Sequence, residues 1–327
     1  MHSPSDSKAR LVSIIIPTLN EERNIAQCYS VITDVMKQSD CDYEVIIVDN
    51  DSVDNTPQLC ADICARDSLW SFIKLSRNFS AEHSVAAGLR YCRGDAAIIF
   101  LSDLQEPAEV IPQFIEKWLQ GYDLVYGINC LRPGESLPRR IMASFFYKLI
   151  NFLSDVDLPL NSTDYRLMDR KVINAINRLS ERNRYLRGLA HWVGFKKIGI
   201  KYKRYPREHG KSKTPFMFML TYAIRSITTF SVKPLRLFLL GGLALLVFSI
   251  FMGMLYLALY ITAGAKAYGI ITVVFFLLAN LGLTSFGFGV LGEYIGNIYN
   301  EAKRRHLWIV EETVNITIDE SEMYGMP

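Results

Sequence analysis

Uninterrupted apolar runs alternate with amphipathic segments through the first half of the chain. Such runs predict strands buried on both faces of a sheet, and they lie at residues 11–16, 43–48, 72–75, 96–101 and 124–126. Segments with helical character, among them residues 80–92 and 108–119, separate these runs. Strands that alternate with helices predict an α/β fold built on a right-handed, mostly parallel sheet.

Two long stretches further along, residues 237–262 and 267–292, contain no charged residue. Each is longer than the ~20 residues that cross a bilayer, and a pair of buried core helices is the less favoured alternative. Basic residues flank the pair on both sides: Lys233, Arg236, Lys303, Arg304 and Arg305. By the positive-inside rule, this pattern predicts a transmembrane hairpin with both ends in the cytoplasm.

These patterns predict four segments along the chain. They are a cytosolic globular domain (1–213), amphipathic juxtamembrane helices (214–234), the transmembrane hairpin (235–299) and a cytosolic basic segment with a C-terminal tail (300–327). Residues 1–10 are polar and lead directly into a strand, so we expect no signal peptide. The hairpin leads us to expect a multi-pass protein of the inner membrane, with both termini in the cytoplasm. Alternating β-branched residues at 307–318 could pair as an edge strand with another subunit, which would support a homo-oligomer.

Composition and motif absence exclude several functional classes. The formal net charge of +3 is too small to argue for a nucleic-acid partner. Six cysteines without Cys-x-x-Cys spacing predict reduced thiols and not a zinc site. The sequence contains neither a Gly-x-Gly-x-x-Gly fingerprint nor a Walker A motif, which weighs against dinucleotide-dependent redox chemistry and P-loop chemistry.

Polar residues follow each predicted strand, at the edge where open α/β folds bind ligands. Pro17 is expected to end the first strand, and Asn20 to cap a helix that begins at Glu21. Asp103 and Gln105 follow the fourth strand two positions apart, so in extended chain both oxygens could reach one hard cation. Ordinary capping of the next helix is the alternative for this stretch.

A second acidic position lies in residues 163–168, which predict a short strand or an extended loop. Asp164 and Arg166 alternate onto one face there, and a structural ion pair is the alternative to a catalytic role. Residues 195–205 predict a further strand that ends in a basic segment.

Taken in order, these motifs resemble glycosyltransferase family 2, in particular the polyprenyl-phosphate sugar synthases, a group with dolichyl-phosphate mannose synthase and bactoprenol glucosyltransferase. The resemblance spans residues 11–305 and is carried by Ile16-Pro17-Thr18-Leu19-Asn20-Glu21, Val48-Asp49-Asn50-Asp51-Ser52, Ser76-Arg77-Asn78-Phe79, Asp103-Leu104-Gln105-Glu106-Pro107, Thr163-Asp164-Tyr165-Arg166-Leu167 and Phe230-Ser231-Val232-Lys233-Pro234-Leu235. It implies a GT-A type fold and transfer of one sugar from a nucleotide sugar to a lipid phosphate at the cytosolic membrane face.

The resemblance also implies roles for individual residues. Nucleotide-binding positions are Pro17, Thr18, Asn20, Glu21, Asp49, Asp51, Arg77, Ser102 and Asp103. Asp103 and Gln105 match the pair that binds a divalent cation, Mg²⁺ or Mn²⁺, and Asp164 with Asp103 matches the catalytic acids. Residues expected to bind the acceptor phosphate are Arg132, Arg140, Arg207, Ser212 and Lys213. The chain departs from the family pattern at Leu101, Asn50 and Asn129, where the family usually has two aspartates and an arginine.

The expected reaction is therefore inverting transfer from a nucleotide sugar, first of all UDP-glucose, to polyprenyl phosphate. A GDP-mannose enzyme of the dolichyl-phosphate mannose synthase type is the alternative within the group. A polysaccharide synthase is disfavoured because two spans are few for a polymer channel. A membrane-tethered pseudoenzyme that binds nucleotide sugars is the alternative outside catalysis.

Overall fold

The computed structural model describes residues 10–130, 159, 161–182, 184–206, 228, 231–263 and 269–325. These residues fall into two compact units. The first lies within Met1–Tyr147, Val156–Thr214 and Arg304–Pro327, and the second within Lys148–Asp155 and Pro215–Lys303. The four-segment division expected from the sequence stays a prediction.

The first unit is built on a sheet of eight strands. They are β1 (Leu11–Thr18), β2 (Asp42–Asp49), β3 (Trp70–Leu75), β4 (Ala96–Ile99), β5 (Leu124–Asn129), β6 (Ser162–Asp169), β7 (Lys197–Tyr202) and β8 (Val310–Val314). The spatial order is β7-β5-β6-β4-β1-β2-β3-β8. Neighbours are parallel except at β4–β6, β5–β6 and β3–β8. The predicted α/β fold with a mostly parallel sheet is confirmed.

Helices cover both faces of this sheet. In chain order they are α1 (Ile25–Met36), α2 (Thr56–Arg66), α3 (Ala81–Tyr91), α4 (Ile111–Leu119), α5 (Arg170–Asn177) and α6 (Leu186–Trp192), with a short 3₁₀ turn at Ala108–Val110 before α4. Alternate β1 residues point to opposite faces. Ile14 and Ile16 join the core with residues of α1, α2 and α4. Ile15 packs against Gly88 of α3, where an added Cβ would lie 2.4 Å from an Ile15 methyl group.

The first strand runs past the proline that was expected to end it. Pro17 and Thr18 continue the parallel register, opposite Val48 and Asp49. A proline removes only its own N–H from a ladder and keeps its carbonyl, and the Ser102 hydroxyl donates to the Pro17 carbonyl at 3.1 Å. The strand therefore delivers Thr18 to the carboxyl edge of the sheet.

The C-terminal strand pairs within the chain. β8 lies antiparallel to β3, with Phe72 opposite Val314, and the Lys74 ammonium lies 2.8 Å from the Glu311 carboxylate. Trp308, just before β8, is 1% exposed. The expected pairing with another subunit is therefore corrected: this segment satisfies the edge of its own sheet. A homo-oligomer through the hairpin stays a prediction.

The second unit contains two long helices, α7 (Lys233–Ala263) and α8 (Gly269–Ala302). They pack antiparallel: the rings of Phe248 and Phe276 are 5.8 Å apart, and the Phe238 ring lies against Gly287. Both helices are long and apolar enough to cross a membrane, over Lys233–Thr262 and Phe276–Ala302. Their apolar side chains are largely exposed in the isolated chain. The predicted two-helix hairpin agrees with this pair, whereas most of the juxtamembrane segment lies outside the described residues.

Candidate active site

The loops that follow β1 and β2 are tied together by hydrogen bonds in both directions. The Asn20 backbone N–H donates to the Ser52 hydroxyl at 2.8 Å, and the Val53 backbone N–H donates to the Asn20 side-chain oxygen at 2.9 Å. Asn20 has a φ of 56°, a left-handed conformation that asparagine tolerates better than most residues. The expected capping role is therefore wrong: Asn20 braces two loops, and Asn24 holds the N-cap position of α1, which begins at Ile25.

Asp49, the last residue of β2, is completely buried. Its carboxylate accepts hydrogen bonds from the backbone N–H of Ser52 at 3.0 Å, from the Ser52 hydroxyl, and from the Thr18 hydroxyl at 3.4 Å. Burial raises the pKa of Asp49, and these hydrogen bonds oppose that shift because they stabilise the charged form. Asp49 thus holds the β2 loop from inside, and its contact with a nucleotide stays a prediction.

Asn50 connects the ends of β1, β2 and β3. Its backbone N–H donates to the Thr18 carbonyl at 3.0 Å. Its side-chain amide donates to the Asn78 side-chain oxygen at 2.9 Å and accepts from the Phe79 backbone N–H at 2.9 Å. Arg77 stacks its guanidinium 4.0 Å from the centre of the Phe79 ring. An amide at position 50 both donates and accepts here, which a carboxylate could not do.

The chain turns sharply after β4. Leu104 has a φ of 53°, and the Gln105 backbone N–H donates to the Asp103 carboxylate at 3.2 Å. The extended chain assumed for Asp103 and Gln105 is therefore wrong, because the positive φ between them turns the backbone. Their joint binding of one cation stays a prediction.

A cavity of about 410 Å³ opens where these loops meet. Its lining residues are Pro17, Thr18, Leu19, Glu21, Asn50, Asn78, Ala81, Ser84, Leu101, Ser102 and Asp103. The volume is typical of pockets for small-molecule ligands, which span roughly 300–1,000 Å³. Of the predicted nucleotide positions, the structure brings Pro17, Thr18, Glu21, Ser102 and Asp103 to this cavity. It leaves Asn20, Asp49, Asp51 and Arg77 outside its lining.

Two carboxylates give this cavity negative charge. Burial raises the pKa of the Cys28 thiol, and the charges of Glu21 and Asp103 raise it further, which places both carboxylates near the same buried thiol. Within the described parts of the chain, no three His, Cys, Asp or Glu side chains group closely enough to hold a metal by themselves. Mg²⁺ commonly binds one or two carboxylates together with substrate phosphates and water. Asp103 fits a cation of that kind, whereas a metal centre made only of protein ligands does not fit these residues.

Asp164 lies at the same edge of the sheet. β4 and β6 are antiparallel with Ile99 opposite Arg166, so Asp164, two residues earlier on β6, lies beside the end of β4. Arg187 on α6 donates to both carboxylate oxygens, through Nη2 at 2.6 Å and Nε at 3.1 Å. The partial burial of Asp164 works against its ionisation, but the guanidinium groups of Arg187 and Arg166 outweigh this effect and lower its pKa. Asp164 is thus an ionised group and a poor proton acceptor.

A buried ion pair supports the β4 loop from behind. The Arg204 guanidinium donates to the Glu106 carboxylate at 2.8 Å, and the Glu106 side chain has no exposed surface. The backbone N–H of Tyr205 donates to the Gln105 carbonyl at 2.8 Å. These bonds fasten the chain after β7 to the turn that carries Asp103.

The residues expected to bind the acceptor phosphate lie outside the described residues: Arg132, Arg140, Arg207, Ser212 and Lys213. Sequence reasoning missed Arg187, Asn78, Ser84 and the pair of Glu106 with Arg204. Asn78 and Glu106 lie within motifs that carry the family resemblance, although no role was predicted for either residue. Arg187 lies 23 residues from Asp164, and no periodic pattern connects the two.

Comparison with known proteins places these residues in a family. The model of the family "Glycosyl transferase family 2" matches residues 13–176. Uncharacterized glycosyltransferase YkcC of Bacillus subtilis (strain 168) is 38% identical over 309 residues, covering 93% of this chain and 94% of the relative. Bactoprenol glucosyl transferase of Shigella phage SfII is 33% identical over 302 residues, covering 92% of this chain and 98% of the relative.

Among solved structures, glucosyl-3-phosphoglycerate synthase from Mycobacterium tuberculosis in complex with Mn²⁺ and UDP-glucose is similar, with a TM-score of 0.43 and 17% identity. The match covers 67% of this chain and 77% of that one.

Proposed function

The chain belongs to glycosyl transferase family 2, and from that premise we propose that it transfers one sugar to a polyprenyl phosphate at the cytosolic face of the membrane. The proposed sugar is glucose, with UDP-glucose as its donor. The observation that carries the proposal is the match to bactoprenol glucosyl transferases over 92% of the chain, which spans both the candidate active site and the two apolar helices. GDP-mannose is the alternative donor.

The cavity at the sheet edge supports a nucleotide donor. Asn50, Asn78 and Ser84 supply hydrogen-bonding groups along its wall, and Asp103 supplies a carboxylate. A base and ribose need several such groups in a defined arrangement, and the hydrogen bonds of Asn50 fix the arrangement before a ligand arrives. The diphosphate then belongs at the acidic part of the cavity.

A divalent cation follows from charge. A diphosphate beside the carboxylates of Asp103 and Glu21 would be repelled without one, and Asp103 is the residue that would hold it, with Gln105 as the predicted second ligand. When bound, the cation neutralises charge that develops on the leaving nucleoside diphosphate. The backbone N–H of Gln105 donates to the Asp103 carboxylate at 3.2 Å, which limits the rotation of that carboxylate.

The acceptor needs little help from a base. A phosphate monoester has a second pKa of about 6, so it is largely ionised at neutral pH. Asp164, whose pKa is lowered, is suited to orienting the reactants electrostatically and not to taking a proton. Direct attack of the phosphate oxygen on the sugar carbon displaces the nucleoside diphosphate from the opposite side, which inverts that carbon.

The two apolar helices would anchor the enzyme at the membrane that holds its acceptor. A polyprenyl phosphate keeps its tail in lipid and its phosphate at headgroup level, so a membrane anchor holds enzyme and acceptor at one surface. The basic residues that flank the helices favour a topology with the catalytic unit and both termini in the cytoplasm.

The test uses the full chain, purified and reconstituted with undecaprenyl phosphate and radiolabelled UDP-glucose or GDP-mannose. We expect label in the lipid phase that requires Mg²⁺ or Mn²⁺ and is lost with EDTA. Asp103→Asn should lower the rate by about 100-fold or more. Asp34→Asn is the matched control because Asp34 is an exposed residue on α1.

Each other outcome has a defined meaning. Label in long polymer would replace the proposal with a polysaccharide synthase. Donor binding without transfer from either nucleotide sugar would mean that the chain is a nucleotide-sugar-binding protein and not a transferase. Transfer from GDP-mannose alone would keep the reaction class and change the donor.

A further inference from the structure

Arg187 contacts the candidate catalytic acid more closely than any residue that sequence motifs identified. Its Nη2 and Nε bond separate oxygens of the Asp164 carboxylate, at 2.6 and 3.1 Å. We propose that Arg187 is a positioning residue that fixes the carboxylate of Asp164 for sugar transfer. This inference rests on the proposed function and assigns a role within the same site.

The geometry of the pair suits positioning. A planar guanidinium group that bonds both oxygens of a carboxylate fixes the rotation of that carboxylate as well as its position. The Asp164 side chain is 47% exposed and that of Arg187 is 22% exposed. The acid therefore remains open to a ligand, while the arginine holds it from the more protected side.

Arg166 cannot supply this constraint by itself. Its Nη2 donates to the Thr163 carbonyl at 2.7 Å and approaches Asp164 Oδ1 only at 3.4 Å. Arg166 is 1% exposed, so its charge supports the carboxylate from the interior of the sheet. Arg187 is thus the residue that determines where the carboxylate points.

The helix that carries Arg187 is well anchored. Leu186, Leu189 and Ala190 of α6 are buried beside it. His191, one turn after Arg187, is 4% exposed, and its ring lies 4.9 Å from the ring of Tyr126. Because α6 is anchored, Arg187 loses little further conformational freedom when it pairs with Asp164. The pair can therefore persist while ligands exchange.

The charges around Asp164 predict a pH signature. The groups that act on it are the guanidinium groups of Arg187, Arg166 and Arg204, all positive. Burial, with the charges of Arg166, Lys197 and Arg187, lowers the pKa of His191 to about 3, so this histidine stays neutral in the working range. Removing Arg187 should therefore raise the pKa of Asp164 without a competing titration from His191.

The experiment compares the full chain carrying Arg187→Met or Arg187→Lys with the wild type, with Arg178→Met as control. Arg178 is an exposed arginine at the end of α5. For Arg187→Met we expect kcat to fall by about 10- to 100-fold, because a misplaced group costs that much, while the donor KM changes little. The acid limb of the kcat profile should move to higher pH. Arg187→Lys should recover part of kcat, and Arg178→Met should resemble the wild type.

A second measurement needs no activity. Water-soluble carbodiimide modifies protonated carboxyl groups, and peptide mass spectrometry reports modification at Asp164. Between pH 5 and pH 6 we expect Asp164 to be modified several-fold faster in Arg187→Met than in the wild type, because its pKa rises. This result does not depend on sugar transfer. If the wild type transferred no sugar but Asp164 were still modified faster in Arg187→Met, the proposed function would fail and the pairing of Arg187 with Asp164 would not.

The inference is overturned if Arg187→Met keeps the wild-type kcat and pH profile while the wild type transfers sugar. It is also overturned if carbodiimide modifies Asp164 equally in both proteins. Should Arg187→Met fail to fold, Arg187→Lys decides: an unchanged kcat and acid limb in that variant would mean that the two-bond geometry is not needed.

Discussion

Replacing Arg204 by methionine leaves a buried carboxylate without its cation. The Glu106 side chain has no exposed surface and lies 2.8 Å from the Arg204 guanidinium, which is 28% exposed. Methionine keeps much of the arginine's apolar stem and removes the guanidinium group, with both its charge and its hydrogen bond to Glu106. The change therefore isolates the ion pair that fastens the Asp103 turn to the chain after β7.

Removing one partner of a buried ion pair costs about 3–5 kcal/mol when the other charge stays buried. The lower end applies here, because solvent already screens part of the Arg204 charge. For a unit of this size, about 3 kcal/mol corresponds to a fall in Tm of roughly 6–12 °C.

The size of the effect should depend on pH. Burial raises the pKa of Glu106 above the usual value of a glutamate side chain, and the positive charge of Arg204 opposes that shift. Without Arg204 the pKa of Glu106 rises further. A carboxyl group whose pKa is raised on folding stabilises the protein below its unfolded pKa and loses that contribution as pH rises through the folded pKa. Arg204→Met should thus be nearly as stable as the wild type at pH 5 and clearly less stable at pH 8.

The assay is tryptophan fluorescence of the detergent-solubilised full chain, heated at one scan rate at pH 5 and pH 8. Arg90→Met is the matched control, since the pair of Arg90 with Glu322 is 39% and 46% exposed and should be worth less than about 1 kcal/mol. Adding Glu106→Gln to Arg204→Met should restore stability at pH 8. An equal loss of Tm at both pH values, or no recovery in the double variant, would refute the reasoning.

Trp308→Ala should destabilise the first unit by about 3–5 kcal/mol, because a side chain that is 1% exposed is lost from the packing of the C-terminal segment; an unchanged Tm would show that this segment does not stabilise the sheet. Gly88→Ala should cost about 1–3 kcal/mol, since its Cβ would lie 2.4 Å from Ile15, and Tm again reports it. Asn50→Asp should cost about 1–3 kcal/mol at pH 8, because a nearly buried carboxylate would face the Asn78 oxygen; a smaller loss at pH 5 supports this reason, and a Tm equal to the wild type contradicts it.

The sheet and much of its functional edge could be predicted from the sequence because both depend on local patterns. Apolar runs mark buried strands, and parallel strands bring their carboxyl ends to one edge. Thr18 is the last residue of β1 and Asp103 follows β4, 85 residues later, yet both line one cavity. No knowledge of loop conformation was needed for that result.

Loop conformation and charge pairing were beyond the reach of such patterns. Asn20 was expected to cap a helix because its residue type suits a cap, but a positive φ and a bond from Val53 give it another role. The partner of Asp164 depends on how α6 packs beside β6, which sequence spacing does not encode. The positive φ at Leu104 is equally hidden, since leucine rarely adopts it.

The two acids that the proposal depends on are oriented by different means, and this difference predicts how each fails. Asp103 accepts a hydrogen bond from the backbone N–H of Gln105, so a substitution that moves the turn, as Arg204→Met would, disturbs it. Asp164 is held by the side chain of Arg187, so one substitution can release it while the backbone stays in place. Loss of Arg204 should therefore lower stability and activity together. Loss of Arg187 should lower activity with a smaller fall in Tm, because the Asp164 side chain is half exposed and that of Glu106 is not exposed.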